Sequence, residues 1–247
     1  SRERLQGKDL ESIQDPDAAQ VPIIRHPDVR RMLMWMKAHV EGMRSFIYFV
    51  STLFDRQACT DDKEEQAYCQ GLIDLLTPVI KSYCSDRGFD VCTEALQVYG
   101  GYGYIKEYPM EQLLRDCRIT MIYEGTNGIQ AMDLLGRKLG LNQGKPMMDL
   151  LGEIQKTVGR AKGSEVLQPL AESFEKALQR LGEVVMHMGA TAMSPQALTA
   201  FAFADGFMEA AGDVVMGWML LWRGAVAAEP AYVRGWLLLA RIELDAA

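Results

Sequence analysis

The tightest constraint on how this 247-residue chain can fold is an apolar seam near its start. Val29, Leu33, Met36, Val40, Met43, Ile47, Val50 and Phe54 recur at alternating steps of four and three, the period of one helix face. Met32, Trp35, Phe46 and Phe49 widen the stripe, so the helix is expected to be buried around much of its circumference. The spacing predicts a helix over 27–57, a rod of ~45 Å at 1.5 Å per residue. Strand patterns are almost absent elsewhere, which points to an all-α protein.

Further helices follow from the same reasoning. Asp61 and Asp62 before Lys63-Glu64-Glu65 read as a capped, acidic helix start suited to the macrodipole. That helix is expected to run to about Ser85, with another over 88–99. The glycine-rich Gln97-Val98-Tyr99-Gly100-Gly101-Tyr102-Gly103-Tyr104 interrupts it. Pro109 opens a short helix to about Cys117, and a further one follows Glu124 to about Leu139. Gly140-Leu141-Asn142-Gln143-Gly144-Lys145-Pro146 reads as a linker. Two helical bundles are therefore expected, over 1–140 and 147–247, joined by 141–146. In the second, Leu167, Leu170, Phe174, Leu178, Leu181, Val185 and Met188 trace an amphipathic helix. Ser194-Pro195 suits the cap and first position of the next, which runs to about Ala228. Glu229-Pro230 restarts the chain into a last helix ending near Asp245, about four helices in all.

Bulk properties exclude several classes. A formal net charge of −7 without a basic run argues against nucleic acid. The longest apolar stretches, near 214–222 and 236–240, are too short to span a bilayer, and the first residues carry no signal-peptide pattern. Five cysteines without a CxxC spacing suit reduced thiols and a cytoplasmic setting. Three scattered histidines make neither a metal site nor a Ser-His-Asp relay, and His39 reads as a satisfied core histidine.

The chemistry-bearing stretch is Ile122-Tyr123-Glu124-Gly125-Thr126-Asn127-Gly128. It sets one carboxylate between an aromatic residue and a glycine, directly before a helix. A glutamate there is suited to pull a proton from carbon beside an apolar ligand. Loss of water would raise it from about 4.3 toward a useful working range.

The run from Ala95 to Lys138, ALQVYGGYGYIKEYPMEQLLRDCRITMIYEGTNGIQAMDLLGRK, resembles the C-terminal helical domain of the acyl-CoA dehydrogenase family. The longer layout resembles the branch with an additional C-terminal helical domain. The resemblance implies oxidation of the Cα–Cβ bond of an acyl-CoA thioester to a trans-2-enoyl-CoA, with hydride passing to FAD. It implies Glu124 as the α-proton base, its backbone N–H polarising the thioester carbonyl, and Tyr123 and Gly125 at the substrate. It further implies FAD contacts from Gln97, Gly100 and Gly101 toward a neighbouring subunit, from Thr126, and from Arg4 as a flavin-phosphate arginine. Arg2-Glu3-Arg4-Leu5-Gln6-Gly7 would end the first helix of the domain, although the family's phenylalanine before the glycine is missing. Gly128 stands where many members have glutamine, and Gln130 lies two residues on. Arg115 and Asp116 read as a structural ion pair or cap.

The family's N-terminal helical domain and middle β-domain have no counterpart here, and the chain opens on Ser1. It is therefore expected to be the C-terminal part of a longer polypeptide, or one piece of a split enzyme, inactive alone. The missing N-terminal part, an electron-transfer flavoprotein or similar acceptor, and a second copy in a homodimer are the implied partners. Two alternatives remain open: an acyl-CoA oxidase, and a non-catalytic helical assembly module.

Overall fold

A computed structural model of the chain describes residues 1–227, and the expected last helix after Glu229-Pro230 lies outside them. Among the described residues the architecture is all helical, with one isolated antiparallel bridge between Leu5 and Pro22. Residues 4–7 are not the end of a helix: Gln6 N–H donates to Val21 O at 3.0 Å and Ile23 N–H to Arg4 O at 2.9 Å, leaving this stretch extended.

Helix α1 spans Pro27–Cys59, with Pro27 in the first turn, where its missing N–H costs nothing. Its buried face is Met32, Ala38, His39, Gly42, Met43, Phe46, Val50 and Leu53. The expected seam is only half right, because Val40, Ile47 and Phe54 stand exposed. Residues seven apart drift ~20° per heptad around a straight helix, so a seam sustained over 25 residues rotates out of any one contact. His39 is the expected core histidine, 2% exposed, with Nδ1 2.9 Å from Trp35 O.

Helix α2 runs unbroken from Lys63 to Tyr99 and joins what the sequence suggests are two helices. Asp62 caps it, accepting from Glu64 N–H at 2.9 Å. Helix α3 (Met110–Arg118) packs beside Gly88, where a Cβ would make an ordinary contact with Cys117 Sγ at 3.5 Å. On α3, Arg115 pairs with Glu111 at 3.0 Å and Asp116 accepts from Gln112 at 2.7 Å. Each is bound one turn back rather than to the other.

Helix α4 covers Asn127–Asp133 and widens into a π-helical turn over Leu134–Lys138. The stretch before α5 (Lys145–Lys162) is a compact turn, with left-handed backbone at Asn142, Gln143 and Gly144. Pro146 packs on α2, its Cγ 3.0 Å from where a Cβ of Gly71 would stand. Helix α6 spans Gln168–Ala192. Ser194 accepts from Gln196 N–H at 3.1 Å, but α7 then covers only Ala197–Ala202, and Phe203 separates it from α8, Ala204–Val226. The sequence suggests one helix where there are two.

Helix α8 holds the assembly together, packing on α1, α2, α4, α5 and α6. A single cluster of buried side chains therefore extends across both sides of the 141–146 turn. Trp218 is fully buried, its Nε1 donating to Thr157 Oγ1 at 2.8 Å, with Phe49 edge-on at 4.9 Å. Close approach depends on glycine: a Cβ on Gly212 would fall 2.1 Å from Tyr83 Cδ2. Gly212→Ala is thus expected to destabilise the fold by about 1–3 kcal/mol through overpacking, despite its higher helix propensity. Gly182→Ala, in α6 with nothing within 4 Å of its Cβ, should stabilise it by about 0.5–1 kcal/mol. Urea unfolding of both variants reads the contrast.

Candidate active site

The residues singled out from the sequence fall into two groups along α2. The first gathers at its C-terminal end. Gly100 closes the helix in a left-handed conformation, φ 62°, with its N–H on Gln97 O. Gly103 is required sterically, since a Cβ there would sit 2.6 Å from Leu96 O. Gly101 faces open space.

Arg4 reaches this turn from 95 residues away in sequence. Its Nη1 donates to Tyr99 O at 2.7 Å, its Nη2 to Gln6 Oε1 at 3.0 Å, and the guanidinium lies 5.7 Å from the Tyr102 ring centroid. A cation at a helix C-terminus satisfies orphan carbonyls and complements the dipole. Arg4, Arg31, Glu94, Gln97, Gly100 and Gly101 line a cavity of about 770 Å³. Glu94 Oε2 is buried against it without a hydrogen-bond partner among the described residues.

The second group sits on the turn between Met121 and α4. Backbone N–H groups of Ile122 and Tyr123 donate to Ile119 O at 2.9 and 3.1 Å. Glu124 and Gly125 then adopt left-handed backbone in succession, φ 52° and 87°. For a glutamate this conformation is uncommon and carries strain of order 1 kcal/mol or more. Its side chain and that of Tyr123 are exposed on this chain. Thr126 occupies the N-cap position of α4, its hydroxyl donating to Met121 O at 3.3 Å. Ile119, Ile122, Tyr123, Ile129 and Met132, within eight residues of Glu124 in sequence, are each about half exposed.

The turn is held by a residue the sequence reading left without a role. Asn127 is 7% exposed, and its amide is gripped by α2. Lys81 Nζ donates to Oδ1 at 2.7 Å, while Nδ2 donates to Asp86 Oδ1 at 2.7 Å and to Ser82 O at 3.3 Å. Lys81 can only donate and the Asp86 carboxylate accepts, so the amide has one satisfied orientation. Burial pulls the Lys81 ammonium below its ordinary value, opposed by Asp86 and Glu124. Burial likewise raises the Asp86 carboxyl, and its hydrogen bond from Asn127 opposes that. Gln130 completes the hold: its Nε2 lies 2.7 Å from where a Cβ of Gly125 would stand, whereas Gly128 faces open space. The available signal was a lone lysine directly after the apolar Pro78-Val79-Ile80.

The structure does not bring the two groups together within one chain. Lys81 and Gln97 are sixteen residues apart on one helix, about 24 Å at 1.5 Å per residue. Among the described residues there is no cluster of three or more potential metal ligands. Nor is any helix there long and apolar enough to cross a membrane.

A family model described as "Acyl-CoA dehydrogenase, C-terminal domain" matches residues 7–139, and one described as "Acetyl-CoA dehydrogenase C-terminal like" matches 150–241. The chain is 35% identical over 228 residues to a butyryl-CoA dehydrogenase of Syntrophomonas wolfei, covering 92% of this chain and 37% of that protein. Caenorhabditis elegans ACDH-11, solved in complex with C11-CoA, superposes with a TM-score of 0.74 at 19% identity, over 90% of this chain and 36% of that one. A Bacillus anthracis acyl-CoA dehydrogenase complexed with FAD gives 0.70 at 21% identity, over 92% and 41%. The chain thus spans well under half the length of the relatives it matches. With one family model covering more than half of its residues, the chain belongs to the acyl-CoA dehydrogenase family.

Proposed function

We propose that this chain is the base-bearing C-terminal part of a longer acyl-CoA dehydrogenase that oxidises the Cα–Cβ bond of an acyl-CoA thioester to a trans-2-enoyl-CoA. One observation carries the reading. Glu124 sits in a strained left-handed turn that is followed directly by a buried asparagine bound to α2. Strain of this kind persists only where surrounding contacts over-determine it, and it gathers at functional sites.

In this reading the Glu124 carboxylate takes the α-proton and its backbone N–H donates to the thioester carbonyl. Preorganised donors of that kind commonly contribute a few kcal/mol where charge develops. Tyr123 and Gly125 flank the acyl group. FAD would supply the acceptor for the β-hydride. The residues that would hold it are Arg4, whose guanidinium lines the cavity, and Gly100 and Gly101, beside which a ligand can approach the backbone, while Asp28 and Glu94 in the same lining oppose a phosphate. Gln97 lines the same cavity, and Thr126 offers a hydroxyl at the start of α4. The two groups lie about 24 Å apart along α2, a separation that a flavin site shared between two copies would accommodate. A homodimer, a cytoplasmic location and an electron-transfer flavoprotein or similar acceptor complete the proposal.

The full-length polypeptide carrying this chain should bind FAD and be bleached by an acyl-CoA. Glu124→Gln should keep the flavin and lose about a thousandfold in bleaching rate; unchanged reduction would reject the assignment. Peroxide released in place of electrons delivered to an acceptor would make the protein an oxidase. Absence of flavin would make it an assembly module.

Gly100→Ala tests the other group. The new Cβ would lie 2.9 Å from Arg4 Nη1 in a backbone conformation that L side chains rarely adopt. Stability should fall by about 1–2 kcal/mol, and FAD should be lost during gel filtration. Full retention of FAD in a protein of lowered melting temperature would remove the turn from the cofactor site.

A further inference from the structure

We propose that Lys81 and Asn127 are the positioning residues of the Glu124 turn: the lysine, by donating to the buried asparagine amide, fixes where the carboxylate of residue 124 stands. The inference rests on the function proposed above for Glu124, but its geometry is independent of any flavin.

Glu124 and Gly125 both hold left-handed backbone, a pair of conformations that a free loop readily leaves. Backbone hydrogen bonds tie the turn on its N-terminal side, at Ile122 and Tyr123. On its C-terminal side the fixing is done by the Asn127 side chain, which bridges to α2 across 46 residues through Lys81 at 2.7 Å and across 41 through Asp86 at 2.7 Å. Asn127 opens α4 three residues after Glu124, so a shift of its amide moves the turn as a body. The lysine is the critical end of the clamp. Without its ammonium, Oδ1 keeps only the Ser85 hydroxyl, at 3.2 Å, and the amide is held from its Nδ2 side alone, by Asp86, Ser85 and Ser82. Gln130, whose Nε2 is 3.5 Å from Gly125 O, is too distant to replace it.

The cost of losing the clamp belongs to placement, not to binding. A misplacement of about 1 Å costs on the order of a hundredfold in a proton transfer that depends on alignment. Contacts made outside the turn are untouched, while those of Tyr123, Gly125 and Thr126 shift with it.

Two measurements test this. In the full-length, flavin-loaded protein, Lys81→Met and Asn127→Ala should lower kcat by about ten- to a hundredfold, with much smaller changes in KM for the acyl-CoA and in flavin content. Lys81→Arg, which keeps a charged donor, should recover most of the rate. A fall in flavin content parallel to kcat, or no rescue by arginine, would reduce both residues to scaffold and overturn the proposal. On the 247-residue chain itself, amide hydrogen exchange of Ile122, Tyr123, Ile129 and Gln130 should quicken at least about tenfold in Lys81→Met, with α5 and α6 unchanged. Unaltered exchange at those four amides would overturn the clamp whatever the flavin chemistry proves to be. Loss of the Glu124 role with altered exchange would instead sink the dehydrogenase reading alone.

Discussion

The contact on which the rest of the molecule depends is one stretch of α2, residues 81–87, gripped from two directions. Tyr83 OH donates to Asp213 Oδ1 at 2.7 Å, and Arg87 reaches both Asp213 at 3.2 Å and Glu209 at 2.8 Å, fastening α8. The alternate residues Lys81, Ser82, Ser85 and Asp86 fasten Asn127 and the turn before it. The Arg87 guanidinium also stacks over the Tyr83 ring at 5.2 Å. Burial works against its charge, but the Tyr83 side chain and then the Asp213 carboxylate raise its affinity for a proton. Removing one partner of a partly buried charged network leaves the others desolvated, at a cost of order 3 kcal/mol when burial is complete. The turn and α8 therefore share one foundation.

This arrangement explains why the 141–146 turn does not behave as a slack tether. A flexible linker between independent bundles would leave each with its own core. Here α8 enters between α1 and α2 at glycines: Gly42 meets Met216, and Gly212 meets the Tyr83 ring. The buried cluster is continuous through Phe46, Leu72, Leu134, Phe174 and Trp218. Melting the second half would expose the apolar face that α2 turns toward α8, and with it the helix that seats Asn127. Stability in the additional helices is thus stability of the Glu124 turn.

What could be seen in the sequence was what depends on near neighbours. The α1 span, the Asp62 cap, the glycine turn after Tyr99 and the glutamate between aromatic and glycine all declare themselves within a few residues. The failures have a common cause in distance along the chain. The face α1 buries is decided by Gly42 against α8, some 170 residues later, so a seam through Val40, Ile47 and Phe54 was plausible and half wrong. The expected division of α2 near Ser85 fails because nothing local reveals the packing of α3 and α4 that holds the helix continuous. Asn127 was visible inside the motif, yet its task was not, because its partners Lys81 and Asp86 lie on another helix. Arg4 is expected at a flavin phosphate from the resemblance alone, and its docking on Tyr99 O, 95 residues away, could not be read from the sequence.

The stiffness of α2 turns these local facts into a constraint on assembly. A 37-residue helix does not bend to bring its middle and its end into one pocket. The Glu124 turn is fixed to the middle through Asn127, and the Arg4 cavity is fixed to the end through Tyr99 O. Neither attachment is loose: one is a buried amide with its orientation determined, the other a guanidinium held by a backbone carbonyl and a side-chain amide. If one ligand needs both, the distance must be spanned by the ligand's own length or by a second copy presenting its other end. Within one chain the Arg4 cavity and the Glu124 turn therefore stay apart, each held to its own stretch of α2.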